Sequence, residues 1–185
     1  MDLSLFIVVL GGRASKSNIE VHDVRWVVGE TIHETFSMLR KEWFGQQKGL
    51  HIDSFKEIKY VDGYKIKVTE AKRVHQENTF CRDKRLYFIN LGGYNPAKMS
   101  EEHSFRLVVA DSNLQAKIKA KDCWKDAIKS KHNDNCSEIT NISQVDDLHK
   151  INKIGSWEIK LILDPKDRNE ELNPDWYGYM RIDKY

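Results

Sequence analysis

The sequence predicts an α+β fold built from two tandem copies of one two-layer unit, each with a helix packed on a mixed or antiparallel sheet. The tripeptide Leu-Gly-Gly at 10–12 recurs at 91–93, and the same offset of 81 gives ten identities in the 39 positions 5–43. Unrelated residues at average usage would give about two. In both copies, short apolar runs typical of strands flank one segment with helical spacing.

The domain boundaries come from a second offset. Beyond the helix, an offset of 93 pairs 52–55 with 145–148 and 64–68 with 157–161. The second copy therefore carries extra residues near 126–143, which we expect to form an exposed insertion. The predicted organisation is a first unit at 1–70, a connector at 71–85, a second unit at 86–164, and a tail at 165–185 that is able to form one more strand.

Each unit has the predicted order strand, strand, helix, strand, strand. The apolar run 3–10 is too short for a typical helix and ends at Gly11-Gly12, which indicates a central strand. In the second strand, Val24, Trp26 and Val28 alternate with polar residues, which is the period of a half-buried strand.

The helix of each unit has a predicted start and a predicted apolar face. Thr31-x-x-Glu34 and Ser112-x-x-Gln115 have the pattern of capping boxes, in which side chains satisfy the free backbone N–H groups of the first turn. The apolar faces are Ile32, Phe36, Leu39 and Trp43 in the first copy, and Leu114, Ile118, Trp124 and Ile128 in the second.

A hairpin closes each unit in the prediction. Asp62-Gly63 lies between two short apolar runs. A two-residue hairpin turn needs positive φ at both central residues, and the Asp-Gly dipeptide favours such a turn because it tolerates that conformation. Gly155-Ser156 takes the same place in the second copy. We expect a β-grasp-like roll for the unit as a whole.

Composition excludes several partners. The 185 residues are 40% apolar and 31% charged, which is typical of a soluble globular chain. The run 3–10 is far shorter than the ~20 residues of a membrane-spanning helix, so we expect no membrane partner. The 30 basic and 28 acidic residues are interspersed, which makes nucleic acid an unlikely partner. Three cysteines without a C-x-x-C pair favour a reducing compartment, and we predict a cytoplasmic location.

Four short motifs connect the chain to a known family. The residues at 10–13, 18–24, 50–53 and 61–64 together resemble domain-of-unknown-function family 1543, an uncharacterised bacterial family with one or two copies of its domain. The resemblance spans nearly the whole chain and is looser in the second copy. It implies the duplication and a bacterial origin, and it implies no chemistry.

The glycine pair allows two interpretations. With Arg13 and Lys16, Gly11 and Gly12 suggest a phosphate loop, but the second glycine of that motif before the lysine is missing. We therefore interpret the pair as a turn with positive φ that ends the strand.

Glu20 and His22 are the polar pair that the repeat retains, as Glu101 and His103. Parity along the strand puts His22 on the same face as the apolar residues, so we interpret it as a half-buried, hydrogen-bonded residue at the edge of the core. The alternative is a cleft in which His22, Glu20, Asn18 and the glycine backbone bind a metal or a polar ligand.

His51-x-Asp53 places an imidazole and a carboxylate on one face of a strand. The second copy retains the acid as Asp146 and replaces the histidine with Gln144. We therefore interpret Asp53 as serving a turn or loop hydrogen bond. The alternative is a histidine base that the aspartate orients.

These patterns predict a non-catalytic binding or interaction module whose partner is a small ligand or a protein. The alternative function is a metal-dependent or acid-base enzyme that uses His22 and His51. No cofactor is predicted, and no metal site, because the sequence shows no third ligand at a recognised zinc spacing. The ligand-binding candidates are Gly11, Gly12, Asn18, Glu20, His22, His51 and Asp53.

Overall fold

The structure, a computed structural model, describes residues 3–71, 79–94, 97–130 and 141–184, with the backbone alone at 123–130 and 141–144. The first unit forms β1 (Ser4–Gly12), β2 (Val21–Gly29), a 3-10 turn (Ile32–Thr35), α1 (Phe36–Glu42), β3 (His51–Ile58), β4 (Tyr60–Val61) and β5 (Tyr64–Glu70). The second unit and the tail form β6 (Arg85–Tyr94), β7 (Glu102–Ala110), α2 (Asn113–Ser130), β8 (Asn141–Ile151), β9 (Lys153–Ile154), β10 (Trp157–Leu163) and β11 (Trp176–Arg181).

The fold is α+β with few helices, and every described strand pair is antiparallel. The predicted strand, strand, helix, strand, strand order and the β-grasp-like roll are not confirmed. A full strand, β3 or β8, follows the helix before the short hairpin, and the two hairpins pair with each other through β5 and β10. Alternating polarity indicates a half-buried strand, but it does not specify the partner strand.

The strand registers reproduce both offsets of the repeat. Leu5 of β1 lies opposite Ile58 of β3, and Leu86 of β6 lies opposite Ile151 of β8. The first members of these pairs are 81 residues apart and the second members 93, as the alignment of the two copies predicts. The two copies therefore share one topology as far as their hairpins.

Both hairpin turns lie where the sequence predicts them. Asp62 and Gly63 have φ values of 49° and 76°, so the first turn has positive φ at both central positions. In the second copy Gly155 has φ 56°. The Asp62 carboxylate also accepts a hydrogen bond from the Val109 N–H of the other unit at 2.8 Å. The first turn is therefore fixed to the second unit.

Strand β1 is buried on both faces, which explains its continuous apolar run. Phe6, Val8 and Leu10 face α1 on one side of the sheet. Leu5 and Ile7 face a core that both units share. The shared core consists of Leu5, Ile7, Val28, Ile58, Val61, Ile66 and Val68 from the first unit and Leu86, Phe88, Val109, Ile151, Ile154, Ile159 and Leu161 from the second.

The predicted apolar face of the first helical segment is confirmed, since Ile32, Phe36, Leu39 and Trp43 are all buried against β1. Its predicted capping box does not form, because the Thr31 side chain makes no capping hydrogen bond. The Glu34 carboxylate instead accepts a hydrogen bond from the Glu30 N–H at 2.9 Å.

The predicted apolar face of α2 is wrong at its first two positions. Leu114 and Ile118 are 65% and 43% exposed, whereas Ala116 and Ala120 are buried against β6. The larger apolar residues predict that their face of the helix is buried, but the helix packs closely against the sheet through the face that carries the alanines. The side chains of Trp124 and Ile128 lie outside the described residues.

The capping box of α2 forms at its serine, since the Gln115 N–H donates to Ser112 Oγ at 3.3 Å. Of the predicted insertion at 126–143, residues 126–130 continue α2 and 141–143 begin β8, while 131–140 lie outside the described residues. In the tail, β11 pairs with β3 and extends the first sheet to the order β11-β3-β1-β2. No helix among the described residues is long and apolar enough to cross a membrane.

A candidate metal centre in the first unit

The candidate site is centred on Gly11 in the middle strand of the first sheet. His22 of β2 lies opposite Gly11 on one side, and His51 of β3 lies opposite it on the other. Residues opposite each other on neighbouring strands project to the same face of a sheet. The fold therefore brings the two histidines to one face with a glycine between them.

Both glycines are explained by close approach of side chains rather than by a turn. Gly11 and Gly12 lie within β1 and are absent from the residues with positive φ, so the predicted strand-ending turn is wrong. A Cβ on Gly11 would lie 2.5 Å from His51 Nε2 and 3.0 Å from Asp53 Oδ2. A Cβ on Gly12 would lie 2.9 Å from the Trp43 ring on the opposite face.

A β-bulge adds Asp53 to this face. Val9 lies opposite Ser54 and Leu10 opposite Ile52, so Asp53 is the extra residue of β3 at this point. Bulges of this kind redirect a side chain and often lie beside functional sites. The interpretation of Asp53 as a turn residue is therefore wrong, because Asp53 lies within the strand.

His51 is the best-defined member of the cluster. Its side chain is 1% exposed, and its Nδ1 donates a hydrogen bond to the Gly49 carbonyl oxygen at 2.8 Å. Its Nε2 then faces Glu20 Oε1 at 3.4 Å and Asp53 Oδ1 at 3.1 Å. The Tyr179 ring covers the imidazole at a centroid distance of 4.0 Å. Two carboxylate oxygens thus converge on one ring nitrogen, where a proton on Nε2 or a metal ion would offset their charge.

His22 completes the cluster from the solvent side. Its Nε2 lies 3.3 Å from Glu20 Oε1 and 3.2 Å from Asp53 Oδ2. The side chain is 53% exposed, which is close to the half-burial that the sequence predicts, but its contacts are the Glu20 and Asp53 carboxylates rather than the edge of the core. Parity along the strand was sound, because Val24 and Trp26 line the same groove as His22. The strand simply extends beyond the shared core at this end.

The structure gathers Gly11, Glu20, His22, His51 and Asp53 into one site. Gly12 faces the other side of the sheet. Asn18 lies in the exposed segment between β1 and β2, and no described hydrogen bond or ion pair joins it to the cluster.

The second unit repeats the cluster in a looser form. His103 lies 3.8 Å from a Glu101 oxygen and 3.7 Å from an Asp146 oxygen. Asp146 is again the extra residue at a register shift, and Gln144 has the register position of His51, opposite Gly92. The second cluster therefore lacks the buried imidazole.

The C-terminal tail supports His51 through residues that sequence reasoning missed. The Asp183 carboxylate binds the Arg181 guanidinium through both oxygens and accepts a hydrogen bond from the Gly49 N–H at 2.8 Å. These contacts, the guanidinium first and the Gly49 N–H second, lower the pKa of Asp183 to about 2. Gly49 in turn accepts the hydrogen bond from His51. No sequence signal links positions so far apart in the chain.

Comparison with known families identifies the domain. The family model for Domain of Unknown Function (DUF1543) matches residues 17–68 and 98–147. The chain belongs to this family. Its two DUF1543 matches confirm the tandem duplication, and each match contains one of the two histidine–carboxylate clusters.

A solved relative extends the comparison to the whole chain. The crystal structure of a protein Il1583 from Idiomarina loihiensis is 35% identical to this DUF1543 protein, with a TM-score of 0.73. The match covers 98% of this chain and 99% of the other. No curated protein matches the chain significantly. The comparisons therefore establish the family and give no activity.

Proposed function

We propose that the protein is a metal-dependent binding module whose first unit holds one divalent transition-metal ion through Glu20, His51 and Asp53. The observation that carries the proposal is the buried His51 ring, whose Nδ1–H is committed to the Gly49 carbonyl while its Nε2 faces two carboxylate oxygens. A cation at that point would remove the repulsion among the three donor atoms.

The donor spacing fits such an ion. Zn–N and Zn–O bonds of about 2.0–2.2 Å in a tetrahedral site require neighbouring ligand atoms about 3.3–3.6 Å apart. His51 Nε2 lies 3.4 and 3.1 Å from the two carboxylate oxygens. One donor atom from each of Glu20, His51 and Asp53 lies within 4.8 Å of the other two. Small side-chain movements are enough to bind an ion to all three.

The surroundings of His51 match those of a ligand. A metal-binding histidine generally donates its other ring N–H to a carbonyl or carboxylate, which sets the tautomer and the ring direction. The Gly49 carbonyl does this for His51, and Tyr179 holds the ring from one side. Mixed imidazole and carboxylate donors favour Zn²⁺, Mn²⁺ or Fe²⁺ over Mg²⁺ and Ca²⁺.

His22 has a different role in the proposal. Its exposed Nε2 contacts both carboxylates and would orient them from the solvent side. Three protein ligands leave a metal ion with an open coordination position. That position would give the module its binding capacity for a polar ligand.

Metal titration of a His51→Gln variant tests the proposal. Glutamine is the residue that the second copy carries at this register position, so the fold is expected to tolerate it. We expect chelator-treated wild-type protein to bind one Zn²⁺ or Mn²⁺ per chain by calorimetry and elemental analysis. His51→Gln should weaken binding by more than about 100-fold, since even the loss of a residue that orients a ligand costs 10- to 100-fold.

His103→Gln is the matched control, because it removes a histidine of the looser cluster and should leave the tight site unchanged. If a proton alone occupies the space beside His51, wild-type protein will take up no stoichiometric metal. That result, or equal affinity in wild type and His51→Gln, would overturn the proposal.

A further inference from the structure

An open groove of about 340 Å³ lies where the two units meet, beside the candidate metal centre. Its walls combine aromatic rings from both units with polar groups at the edges. The rings are Trp26, Phe88, Phe105 and His149, and His22 and His103 lie among the edge residues. The size corresponds to the lower end of small-molecule sites, which suits a ligand with one ring.

The aromatic wall is continuous across the unit boundary. The Trp26 ring lies 5.4 Å from Phe88 and 5.2 Å from His149, centroid to centroid. Phe88 and Phe105 are also 5.4 Å apart. The interplanar angles of these three pairs are 42°, 49° and 43°, so the rings are tilted against one another and line one wall of the groove. Such surfaces favour a flat aromatic body.

His22 connects this groove to the metal centre. It lines the groove and also lies within 3.3 Å of both Glu20 and Asp53. The groove therefore begins one side chain away from the carboxylates that would hold the ion. The lining also includes two carboxylates, Asp23 and Asp147, which are paired with the Arg25 guanidinium and the Asn90 amide. The histidines and the ion therefore remain the groups suited to an anionic oxygen.

We propose that the groove binds a monocyclic aromatic carboxylate, with its ring packed against Trp26 and Phe105 and its carboxylate directed to His22 and the metal ion. This inference rests on the proposed function, because the ion supplies the positive charge that selects an acid. The aromatic contacts come from this chain's own side chains and can be removed separately.

Two substitutions test the groove without touching the metal ligands. Trp26→Leu introduces the residue that the second copy has at the equivalent position, Leu107. Phe105→Val introduces the residue that the first copy has there, Val24. The probes are benzoate and 2-hydroxybenzoate, titrated by calorimetry into zinc-loaded and metal-free protein. We expect both acids to bind the zinc-loaded protein, and we expect each variant to bind them about ten-fold more weakly. The zinc affinity of each variant should stay within two-fold of wild type.

The two measurements separate the two hypotheses. The zinc titration alone reports on the metal centre, and failure to bind zinc overturns both hypotheses. Normal zinc binding without benzoate binding, or with benzoate affinity unchanged in both variants, overturns the groove assignment only. Equal benzoate affinity with and without zinc would refute the link between groove and ion. A thermal melt of each variant establishes that it is folded before titration.

Discussion

Replacing Gly11 with alanine tests the geometry of the site with a single methyl group. The added Cβ would lie 2.5 Å from His51 Nε2 and 2.9 Å from its Cε1, whereas ordinary contact begins near 3.4 Å. The ring must therefore move by about 0.9 Å. It has little room to do so, because it is 1% exposed and packs against Tyr179 at 4.0 Å.

The size of the effect follows from this displacement. Metal–ligand distances tolerate errors of about 0.2 Å, so a ring moved by several times that distance no longer binds the ion. We expect Gly11→Ala to weaken zinc binding by at least about 100-fold. Forcing a methyl group into a packed site costs about 1–3 kcal/mol. For a chain of this size that lowers the melting temperature by about 2–12 °C.

Calorimetric zinc titration and a thermal melt measure the two effects on one sample. Gly92→Ala is the matched control in the second unit, where the added methyl group would overlap the partly exposed side chains of Asp146 and Glu101 rather than a buried ring. Its melting temperature should be closer to that of wild type, and its first site should retain the wild-type zinc affinity. If Gly11→Ala binds zinc as tightly as wild type, the described position of His51 over the glycine is irrelevant to binding, and the reasoning is refuted.

Two further predictions use the asymmetry of the copies and the support from the tail. Gln144→His should raise the zinc stoichiometry measured by elemental analysis from one to two, because residue 144 has the register position of His51; a stoichiometry still at one contradicts this. Asp183→Asn should weaken zinc binding about 10- to 100-fold by releasing Gly49, and calorimetry should show no change if that support is unimportant. Since the Arg181 contact and the Gly49 N–H lower the pKa of Asp183 to about 2, its contribution to stability is complete above the unfolded value near 4 and is lost as pH falls toward 2. Acid melts of Asp183→Asn should lose that part of the pH dependence.

The elements of the fold were largely readable from the sequence, whereas their assembly was not. Turn chemistry at Asp62-Gly63 and the apolar stripe of the first helix are local signals, and the structure bears both out. The pairing of β5 with β10 joins segments about 90 residues apart, and no local pattern encodes such a choice. The phase of α2 was missed because buried Ala116 and Ala120 carry less apolar signal than exposed Leu114.

The site was named residue by residue but not as one cluster. The sequence groups Glu20 and His22 with the glycines and pairs His51 with Asp53, and only the enzyme alternative uses His22 and His51 together. Their convergence depends on which strands flank β1 and on a bulge of one residue, and both are tertiary features. A signal was present in the repeat, since Gly11 and its neighbours in the cluster recur in the second copy apart from His51. Recurrence under both offsets marks residues that share a site even when they lie far apart in the chain.

The two copies also indicate what keeps the cluster compact. The first cluster has two histidines with two carboxylates, and its contacts are 3.1–3.4 Å. The second has His103 alone with two carboxylates, and its contacts are 3.7 and 3.8 Å. The looser spacing accompanies the missing imidazole and a second register shift, between Gly92 and Gly93, that the pairing of β1 with β3 lacks. A cation in the first cluster would therefore bind donor atoms that already lie within 3.4 Å of the His51 ring nitrogen, whereas in the second cluster the donor atoms would first have to move closer together. The affinity difference between the copies should accordingly shrink when residue 144 becomes histidine, with no change elsewhere in the chain.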